Sequence, residues 1–578
     1  MPSIACHVAD TPAAHLVTGM LAAVPDRGSH LHLAQAGRCV LGVAADERLP
    51  GESSICEDRG WAAAVVGTFD EQSDASPAHV ALERVRTGGP EALARLRGVF
   101  ATVVTDGRRV WAARDHVGTE TLYYHEAPGR LLVVSEPKQL EAIPGIRLEP
   151  DVDVVEAIFY GEDYEPRRSV YRAVLRLGMA SYLEWSETGC RVGRYWRPEA
   201  LLETARLTPA EIAERFDELM CQAVRRTLRD RTAVLLSGGI DSPAVAAYAR
   251  ASRPSVAGPG VGAISAVYPQ HPSVDERGLI ETLAAEYGLE LQTFTPGPLK
   301  LDRLAEWVRT FDGPWAAWHP GWSEQSYRFA AERGYSVVLT GFFAELLADL
   351  SWGLVPHLVA TGRVRPALAY LADQRARGGS RASMLRTLVS TFVPRWAMSL
   401  RRRRRPATLI PGWMDARRVA QRDGAQAAAP RALWKRSQLG FLGGPQPSME
   451  AYAKLQARCG VRARHPWSDV DLWEFFLSLP AEAKHPDARS KALLRNVLRG
   501  RLPDTILDRR KMVFNAYITD RIDYASLRRW LVDPPTHLAG IDYAKLAERL
   551  AAEDLTMSEF MWAKDLATAH AFLAQWAS

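Results

Sequence analysis

The stretch Thr232-Ala-Val-Leu-Leu-Ser237-Gly238-Gly239-Ile240-Asp241-Ser242 decides the fold of the larger part of this chain. Its first half is a continuous apolar run of strand length, and a helix is predicted directly after the glycine turn, from Pro243 to Arg250. A strand that passes through a glycine turn into a helix is a βα unit. Glycines that permit close approach, and N–H groups at the start of the helix, predict a phosphate-binding loop.

The loop differs from two common nucleotide-binding motifs. It lacks the Gly-Lys-Ser/Thr ending of a Walker A loop, and the glycines at 258, 260 and 262 have the wrong spacing for a dinucleotide fingerprint. The sequence resembles instead the pyrophosphate loop of the N-type ATP pyrophosphatases, in which attack falls on the α-phosphate and pyrophosphate leaves. This resemblance implies adenylation, with Asp241 holding Mg²⁺ on the pyrophosphate oxygens.

Alternating strands and helices surround this loop. Further strands are predicted at 263–268 and 336–340, and helices at 209–229, 277–287 and 324–333. This alternation predicts an α/β domain with a doubly wound parallel sheet that binds its ligand at the carboxyl ends of the strands. Residues 365–405 and 450–578 are predicted to be largely helical, and 421–430 a loose connection.

The N-terminal third has a different pattern. Short apolar runs interrupted by Gly, Asp and Pro predict the strands of an antiparallel α+β domain at 61–69, 98–106, 108–115 and 130–136. A Tyr-Trp-Arg-Pro segment at 195–198, followed by a helix start at Thr208, places the domain boundary near residue 200. The predicted domains are therefore 1–200 and 201–578.

Composition limits the class of protein. The hydrophobic fraction is 47% and the net charge is +5, which is too small an excess to indicate nucleic-acid binding. Six scattered cysteines favour a reducing cytoplasm over a disulfide framework or a zinc site. No apolar run is long enough to span a membrane, so we expect a cytoplasmic protein. Five arginines at 401–405 are expected to form a solvated helix end, with binding of an acidic ligand as the alternative.

Ordered blocks along nearly the whole chain resemble the asparagine synthetase family. The resemblance implies a glutaminase-like (Ntn-type) sandwich followed by an ATP-dependent synthetase domain. The blocks in the first domain are Leu-Arg-Gly-Val-Phe-Ala at 96–101, Ala113 to Tyr124, and Ser-Glu-Pro-Lys at 135–138. Those in the second are the loop itself, Asp275-Glu276, Asp312-Gly-Pro, Arg464 to Asp469, Ser490 to Arg495 and Leu502 to Phe514.

The first domain departs from the family in its glutamine site. Glutamine-dependent members expose an N-terminal cysteine as nucleophile, but here position 2 is Pro2 and the nearest thiol, Cys6, is expected to be structural. The stretch that holds glutamine in the family is represented by Val66 to Glu71, with most of its polar contacts gone. We therefore expect that this protein makes no ammonia and that the attacking amine belongs to the substrate.

Two kinds of relative close rings in this way: β-lactam-forming synthetases and lasso peptide cyclases. The long helical segment at about 350–440, with Trp352, Trp396, Trp413 and Trp434, favours a peptide groove and hence macrolactam formation between a peptide's N-terminal amine and an Asp or Glu side chain. Core packing is the common role of such tryptophans. The lasso resemblance further implies a precursor peptide, a leader-binding protein and a leader peptidase as partners, with neither nucleic acid nor membrane involved.

A second departure concerns the stretch Leu339 to Glu345. Phe342 stands where the family has a catalytic acid and where β-lactam-forming relatives have a tyrosine base, and Glu345 stands where a metal-binding Asp is expected, with Asp349 as a substitute. A catalytically inactive scaffold is therefore one alternative. A tRNA-modifying pyrophosphatase is another, although no RNA-binding module is evident.

The resemblance assigns roles to particular side chains. Lys511 would stabilise the oxyanion and the leaving phosphate, with Arg510 as its substitute, and Lys491 and Arg495 would face phosphate or form salt bridges. The predicted cofactors are ATP and Mg²⁺. The predicted catalytic residues are Lys511, Arg510 and Glu345; the predicted ATP- and pyrophosphate-binding residues are Leu235, Ser237, Gly238, Gly239, Asp241, Ser242, Val267, Thr340, Gly341 and Lys491; and the predicted metal ligands are Asp241 and Glu345.

Overall fold

The computed structural model describes most of the chain with its side chains. The described residues are 1–69, 74–252, 261–298, 300–314, 320–378, 380, 410–415, 418, 430–509 and 521–576. The predicted loose connection at 421–430 lies outside them except for residue 430, and the arginine run at 401–405 lies outside them entirely.

The N-terminal part is a sandwich of two antiparallel sheets. Within the described residues, the first sheet has the strand order β10-β8-β9-β1-β3-β2 and the second the order β12-β11-β7-β6-β5-β4. Alternating apolar side chains of both sheets meet between them in one buried core. The strands are β1 Ser3–Val8, β2 His30–Ala36, β3 Cys39–Ala45, β4 Ser53–Asp58, β5 Trp61–Phe69, β6 Gly98–Thr105, β7 Val110–Arg114, β8 Tyr123–Ala127, β9 Arg130–Val134, β10 Leu175–Arg176, β11 Ser181–Ser186 and β12 Gly189–Arg194.

The C-terminal part contains a parallel sheet. Its order in the described residues is β15-β14-β13-β16-β17, and every neighbouring pair is parallel. Successive strands add to one side of β13 and then to the other, which is the doubly wound arrangement. The strands are β13 Thr232–Leu235, β14 Gly262–Ala266, β15 Glu290–Phe294, β16 Val337–Leu339 and β17 Arg462–Arg464.

Helices cover the parallel sheet and the outer faces of the sandwich. The helix that follows the glycine turn runs from Asp241 to Ser252, and a Thr208 capping box starts the helix before β13. The helices are α1 Ala14–Ala22, α2 Pro77–Gly88, α3 Val152–Tyr160, α4 Pro209–Thr227, α5 Asp241–Ser252, α6 Arg277–Glu286, α7 Leu304–Phe311, α8 Pro320–Glu332, α9 Ala344–Ala348, α10 Leu354–Ala360 and α11 Val364–Ala376, and then Pro430–Leu439, Pro447–Cys459, Val470–Ser478, Ala481–Lys484, Ala492–Val497, Asp504–Leu507, Tyr524–Leu531, Tyr543–Ala552 and Met557–Leu573.

Buried ion pairs join the two parts. The carboxylate of Glu52, from the sandwich, pairs with Arg462 and Arg464 of β17, and Arg462 also reaches Glu120. Burial alone would raise the pKa of Glu52, but the two arginines outweigh it and lower the pKa to about 2. Because all of these groups are buried, each depends on its partners for compensation, and the pairing fixes the sandwich against the edge of the parallel sheet.

The predicted fold class is confirmed, an α+β sandwich followed by an α/β domain with a doubly wound sheet. The sequence located β13 and β14 within two residues of their observed bounds, but β1 to β3 received no strand prediction. The boundary near residue 200 stays a prediction. Among the described residues, none of the helices combines the length and apolar character that crossing a bilayer requires.

Candidate active site at the sheet switch point

The site lies where the strand order reverses. β13 and β16 are adjacent and parallel, and the next strand after β13 lies on the far side of it from β16. A crevice opens at the carboxyl ends of two strands so placed, and ligands bind there in doubly wound sheets. The glycine turn leaves β13 after Leu235, and Thr340 and Gly341 follow β16 directly, so these predicted residues meet at one edge.

Two serines close the glycine turn. The backbone N–H of Ser237 donates to Oγ of Ser242 at 3.0 Å, and the hydroxyls of the two residues are also 3.0 Å apart. The indole of Trp467 donates to the carbonyl of Asp241 at 3.2 Å. These bonds fix the turn at the start of α5, where the N–H groups of the helix face outward.

Gly238 is held by two charged side chains that the sequence had not assigned to the turn. Its N–H donates to Oε2 of Glu276 at 2.9 Å, and its carbonyl accepts from Nη1 of Arg509 at 3.0 Å. Nη1 of Arg509 also lies 2.5 Å from Oε1 of Glu276. A Cβ at Gly238 would lie 2.5 Å from Nη1 of Arg509, whereas one at Gly239 would meet only Oγ of Ser237 at 3.5 Å, so Gly239 is the open side of the turn.

Lys491 brings a cation to the site. Its Nζ lies 2.6 Å from Oδ2 of Asp241 and 3.5 Å from Oε1 of Glu345. The backbone of Lys491 has φ 56°, a left-handed conformation that is uncommon for a residue with a side chain. Asp349 holds it there, accepting from the Lys491 N–H at 3.0 Å and from the Ser490 hydroxyl at 2.7 Å. Asp349 therefore positions Lys491.

The two predicted metal ligands converge. Asp241 and Glu345 both direct a carboxylate oxygen at the same ammonium group, although they stand on different helices. A pair of carboxylates beside the predicted phosphate-binding turn suits Mg²⁺, which commonly takes one or two carboxylates and the oxygens of its substrate. The donor set thus fits Mg²⁺, and the ion would supply positive charge against the phosphates.

Gly341 packs against the turn. A Cβ at this position would lie 2.6 Å from Cβ of Asp241 and 2.8 Å from the backbone N of Ser242. Oγ1 of Thr340 lies 2.7 Å from Nδ1 of His465 and accepts from the N–H of Phe342. Burial, and then Arg462, lower the pKa of His465 to about 3, so the imidazole is neutral at physiological pH.

Phe342 presents an aromatic surface beside the site. Its side chain is 43% exposed, and its ring lies edge-on to Tyr452 at 5.4 Å and to His465 at 5.8 Å. The following residue, Phe343, has φ 77° and turns into the core. The position that carries an acid in the resembled family is therefore apolar here and open to a ligand.

The remaining predicted site residues are Val267, Arg495, Lys511 and Arg510. Val267 is buried after β14 and its N–H donates to Phe294, so it supports the sheet. The guanidinium of Arg495 donates to the backbone carbonyls of Ser490, Leu507 and Arg509. Lys511 and Arg510 lie outside the described residues.

The predicted tryptophan wall is wrong for two of its members. Trp413 and Trp434 are 1% and 2% exposed, because apolar side chains of neighbouring helices enclose their indoles. They are core residues and cannot line an open groove. Trp352 is half exposed, and Trp396 lies outside the described residues.

Cys6 is a core residue of the sandwich. It lies on β1 opposite Leu41 of β3 and Val133 of β9, and it is fully buried. Burial, with a smaller contribution from Cys39, raises the pKa of its thiol well above the usual value. A neutral, enclosed thiol is a poor nucleophile.

The sequence also matches known families. Residues 215–577, more than half of the chain, match the family described as "Asparagine synthase". This chain belongs to the asparagine synthase family. Residues 63–196 match the "Glutamine amidotransferase domain". Asparagine synthetase [glutamine-hydrolyzing] 3 of Bacillus subtilis is 24% identical over 436 residues, covering 72% of this chain and 67% of that protein.

Two further similarities cover smaller shares of this chain. A putative asparagine synthetase of Mycobacterium bovis is 30% identical over 28% of this chain and 26% of its own length. The structure of glutamine phosphoribosylpyrophosphate amidotransferase from B. subtilis covers 51% of this chain and 82% of that chain, with 11% identity and a TM-score of 0.26. Family membership makes the chain an asparagine synthetase-like, ATP-dependent amide-forming ligase.

Proposed function

We propose that this protein forms a macrolactam in a precursor peptide, releasing AMP and pyrophosphate. The reaction would join an Asp or Glu side chain of the peptide to its N-terminal amine. The observation that carries the proposal is the convergence of Asp241, Glu345 and Lys491 beside the pyrophosphate turn. Such a set suits transfer of an adenylyl group, because it places cationic and metal-binding groups where pyrophosphate charge develops.

The first half of the reaction would activate the carboxylate. The N–H groups at Gly239 and at the start of α5 would bind the pyrophosphate, and Asp241 and Glu345 would hold Mg²⁺. Lys491 would stabilise the charge on the departing group. Lys511, which the family resemblance assigns to the oxyanion of the second half, is the residue to test there.

The second half would use an amine that the substrate carries. The Cys6 thiol of the sandwich is buried with a raised pKa, so it is a poor nucleophile for the hydrolysis of glutamine. A peptide that holds both reacting groups makes the step intramolecular. Holding the amine near the acyl carbon lowers the entropic part of the barrier.

Phe342 supports a substrate with apolar surface near its reacting carboxylate. The exposed ring forms a surface with Tyr452 and His465 behind it, and a neutral His465 adds no charge. A peptide can cover such an apolar surface. Free aspartate would bring its charged α-ammonium and α-carboxylate groups to it, besides the carboxylate that reacts. We further propose that a leader-binding protein and a leader peptidase deliver this peptide in the cytoplasm.

The test is ATP–pyrophosphate exchange with the full chain, Mg²⁺ and peptides encoded beside its gene. We expect exchange that depends on the peptide's Asp or Glu, release of AMP, and a product lighter than the peptide by one water. Release of ADP and phosphate would contradict the proposal.

Two alternatives give other results. A catalytically inactive scaffold would bind peptide without any exchange. A β-lactam-forming enzyme would act on a small amino acid derivative and would ignore peptides. Lys511→Ala in an exchange-competent chain should retain exchange and lose cyclisation, if Lys511 acts in the second half.

A further inference from the structure

A half-enclosed cavity lies between the sandwich and the parallel sheet, apart from the pyrophosphate turn. Its volume is about 280 Å³, and residues 237–242 do not line it. Thr68, Phe69, Gly98 and Val99 form its wall on the sandwich side. A cavity of this size holds a small molecule and is smaller than most drug-sized sites.

The surface of this cavity is cationic. Among the described residues its lining includes Asp469 as the one carboxylate, and His465 is neutral because its pKa is about 3. The lining arginines are Arg97, Arg225, Arg226, Arg229, Arg462 and Arg464.

Three of these arginines, Arg97, Arg462 and Arg464, pair with carboxylates that do not line the cavity. Asp471 is 2.8 Å from Arg97, and Glu52 and Glu120 pair with Arg462 and Arg464, yet none of these three acids lines the cavity. The acids hold the guanidinium groups in place and leave the cavity surface to the arginines. This arrangement orients cations towards an incoming ligand.

Donors remain for such a ligand. Arg462 is 3% exposed and Arg464 is 8% exposed, so both are held within the wall of the cavity. Arg225 is exposed, and the described residues provide no ion-pair partner for it.

We infer that this cavity binds a small oxyanion, a phosphate or a carboxylate. Guanidinium groups bind both through paired N–H donors, and several of them around one cavity exclude cationic ligands. The inference does not depend on the proposed reaction. His465 lines the cavity and also contacts Thr340 at 2.7 Å. A single side chain would therefore separate the bound anion from the proposed nucleotide site.

The test must separate this cavity from the pyrophosphate turn, which also attracts phosphate. Gly239→Glu blocks the turn with a carboxylate, and a Cβ there meets only Oγ of Ser237 at 3.5 Å. In this background, inorganic phosphate and succinate are titrated separately by calorimetry at constant ionic strength. We expect one bound anion per chain. Phosphate binding alone, succinate binding alone, or binding of both identifies the ligand class and supports the site.

Arg225→Gln and Arg215→Gln form a matched pair in that background. Both arginines are exposed on α4, but Arg215 pairs with Glu218 outside the cavity. Arg225→Gln should weaken binding roughly tenfold, and Arg215→Gln should leave it unchanged. Equal effects of the two variants, or no binding of either anion, would overturn the inference. If Gly239→Glu fails to fold, the same pair is compared in the wild-type chain, with the same outcomes deciding.

Discussion

The Nζ atom of Lys491 lies 2.6 Å from Oδ2 of Asp241, although the two residues are 250 positions apart in the chain. The pair joins the first residue of α5 to the residue that caps the helix Ala492–Val497. Both ends are constrained, Asp241 by the glycine turn and Lys491 by Asp349. The contact therefore fixes a cation beside the turn before any substrate arrives, a form of preorganisation.

Lys491→Met should lower the rate of ATP–pyrophosphate exchange about 100-fold, because a fixed cation at the pyrophosphate site is removed. Methionine keeps the length of the chain and is unbranched at Cβ, which the left-handed backbone tolerates better than valine or isoleucine. The control is Lys545→Met, an exposed lysine paired with Asp542. Equal rates for the two variants would remove Lys491 from the mechanism.

Gly341→Ala should raise the KM for ATP by about tenfold or more, since the added methyl would lie 2.6 Å from Cβ of Asp241 and must displace the turn. Gly278→Ala is the matched control, because a Cβ at Gly278 meets nothing within 4 Å. Steady-state kinetics with varied ATP measure the effect. An unchanged KM for ATP in Gly341→Ala would show that the glycine turn, as it is packed in this structure, does not bind the nucleotide.

Phe342→Ala should raise the KM for the peptide and leave the KM for ATP unchanged, because its exposed ring packs against Tyr452 and His465 and offers an apolar surface to a ligand. Loss of apolar contact over a half-exposed ring corresponds to about 1–2 kcal/mol, or roughly tenfold in KM. Leu33→Ala, at a leucine of β2 in the sandwich that is 40% exposed, serves as the control. If the KM for ATP and the KM for the peptide rise together, Phe342 has a structural role.

Glu52→Gln should destabilise the folded chain by about 3–5 kcal/mol, because it leaves Arg462 and Arg464 buried with less compensation. Glu187→Gln, at an exposed carboxylate paired with Arg38, should change the free energy of unfolding by less than about 1 kcal/mol. Denaturant unfolding of both variants measures the difference. Similar midpoints would show that the buried pairs contribute nothing measurable.

The same carboxylate predicts an acid limit of stability. The folded pKa of Glu52 is lowered to about 2 from an ordinary value of 4.5. Its contribution is therefore complete above about pH 4.5 and is lost as the pH falls towards 2. Unfolding free energies of the wild type and of Glu52→Gln should converge over this range; a constant difference down to pH 2 would contradict the assignment.

Patterns of adjacent residues accounted for the local structure. The apolar run before Ser237 predicted β13, and the glycines with Asp241 predicted the turn and α5, since strand, turn and helix each depend on neighbouring residues. The prediction of a tryptophan groove was wrong for two of its four members, because periodicity places a side chain on a face without showing what covers it. Trp413 and Trp434 are covered by other helices.

The sequence by itself determined the βα unit with its glycine turn and the class of both domains, because these follow from short-range patterns. Tertiary structure alone decided that Glu276 and Arg509 hold Gly238, and that Lys491 reaches Asp241 and Glu345. It also decided which arginines surround the cavity between the domains. These contacts join residues far apart in the chain, and their geometry depends on how the strands and helices pack together.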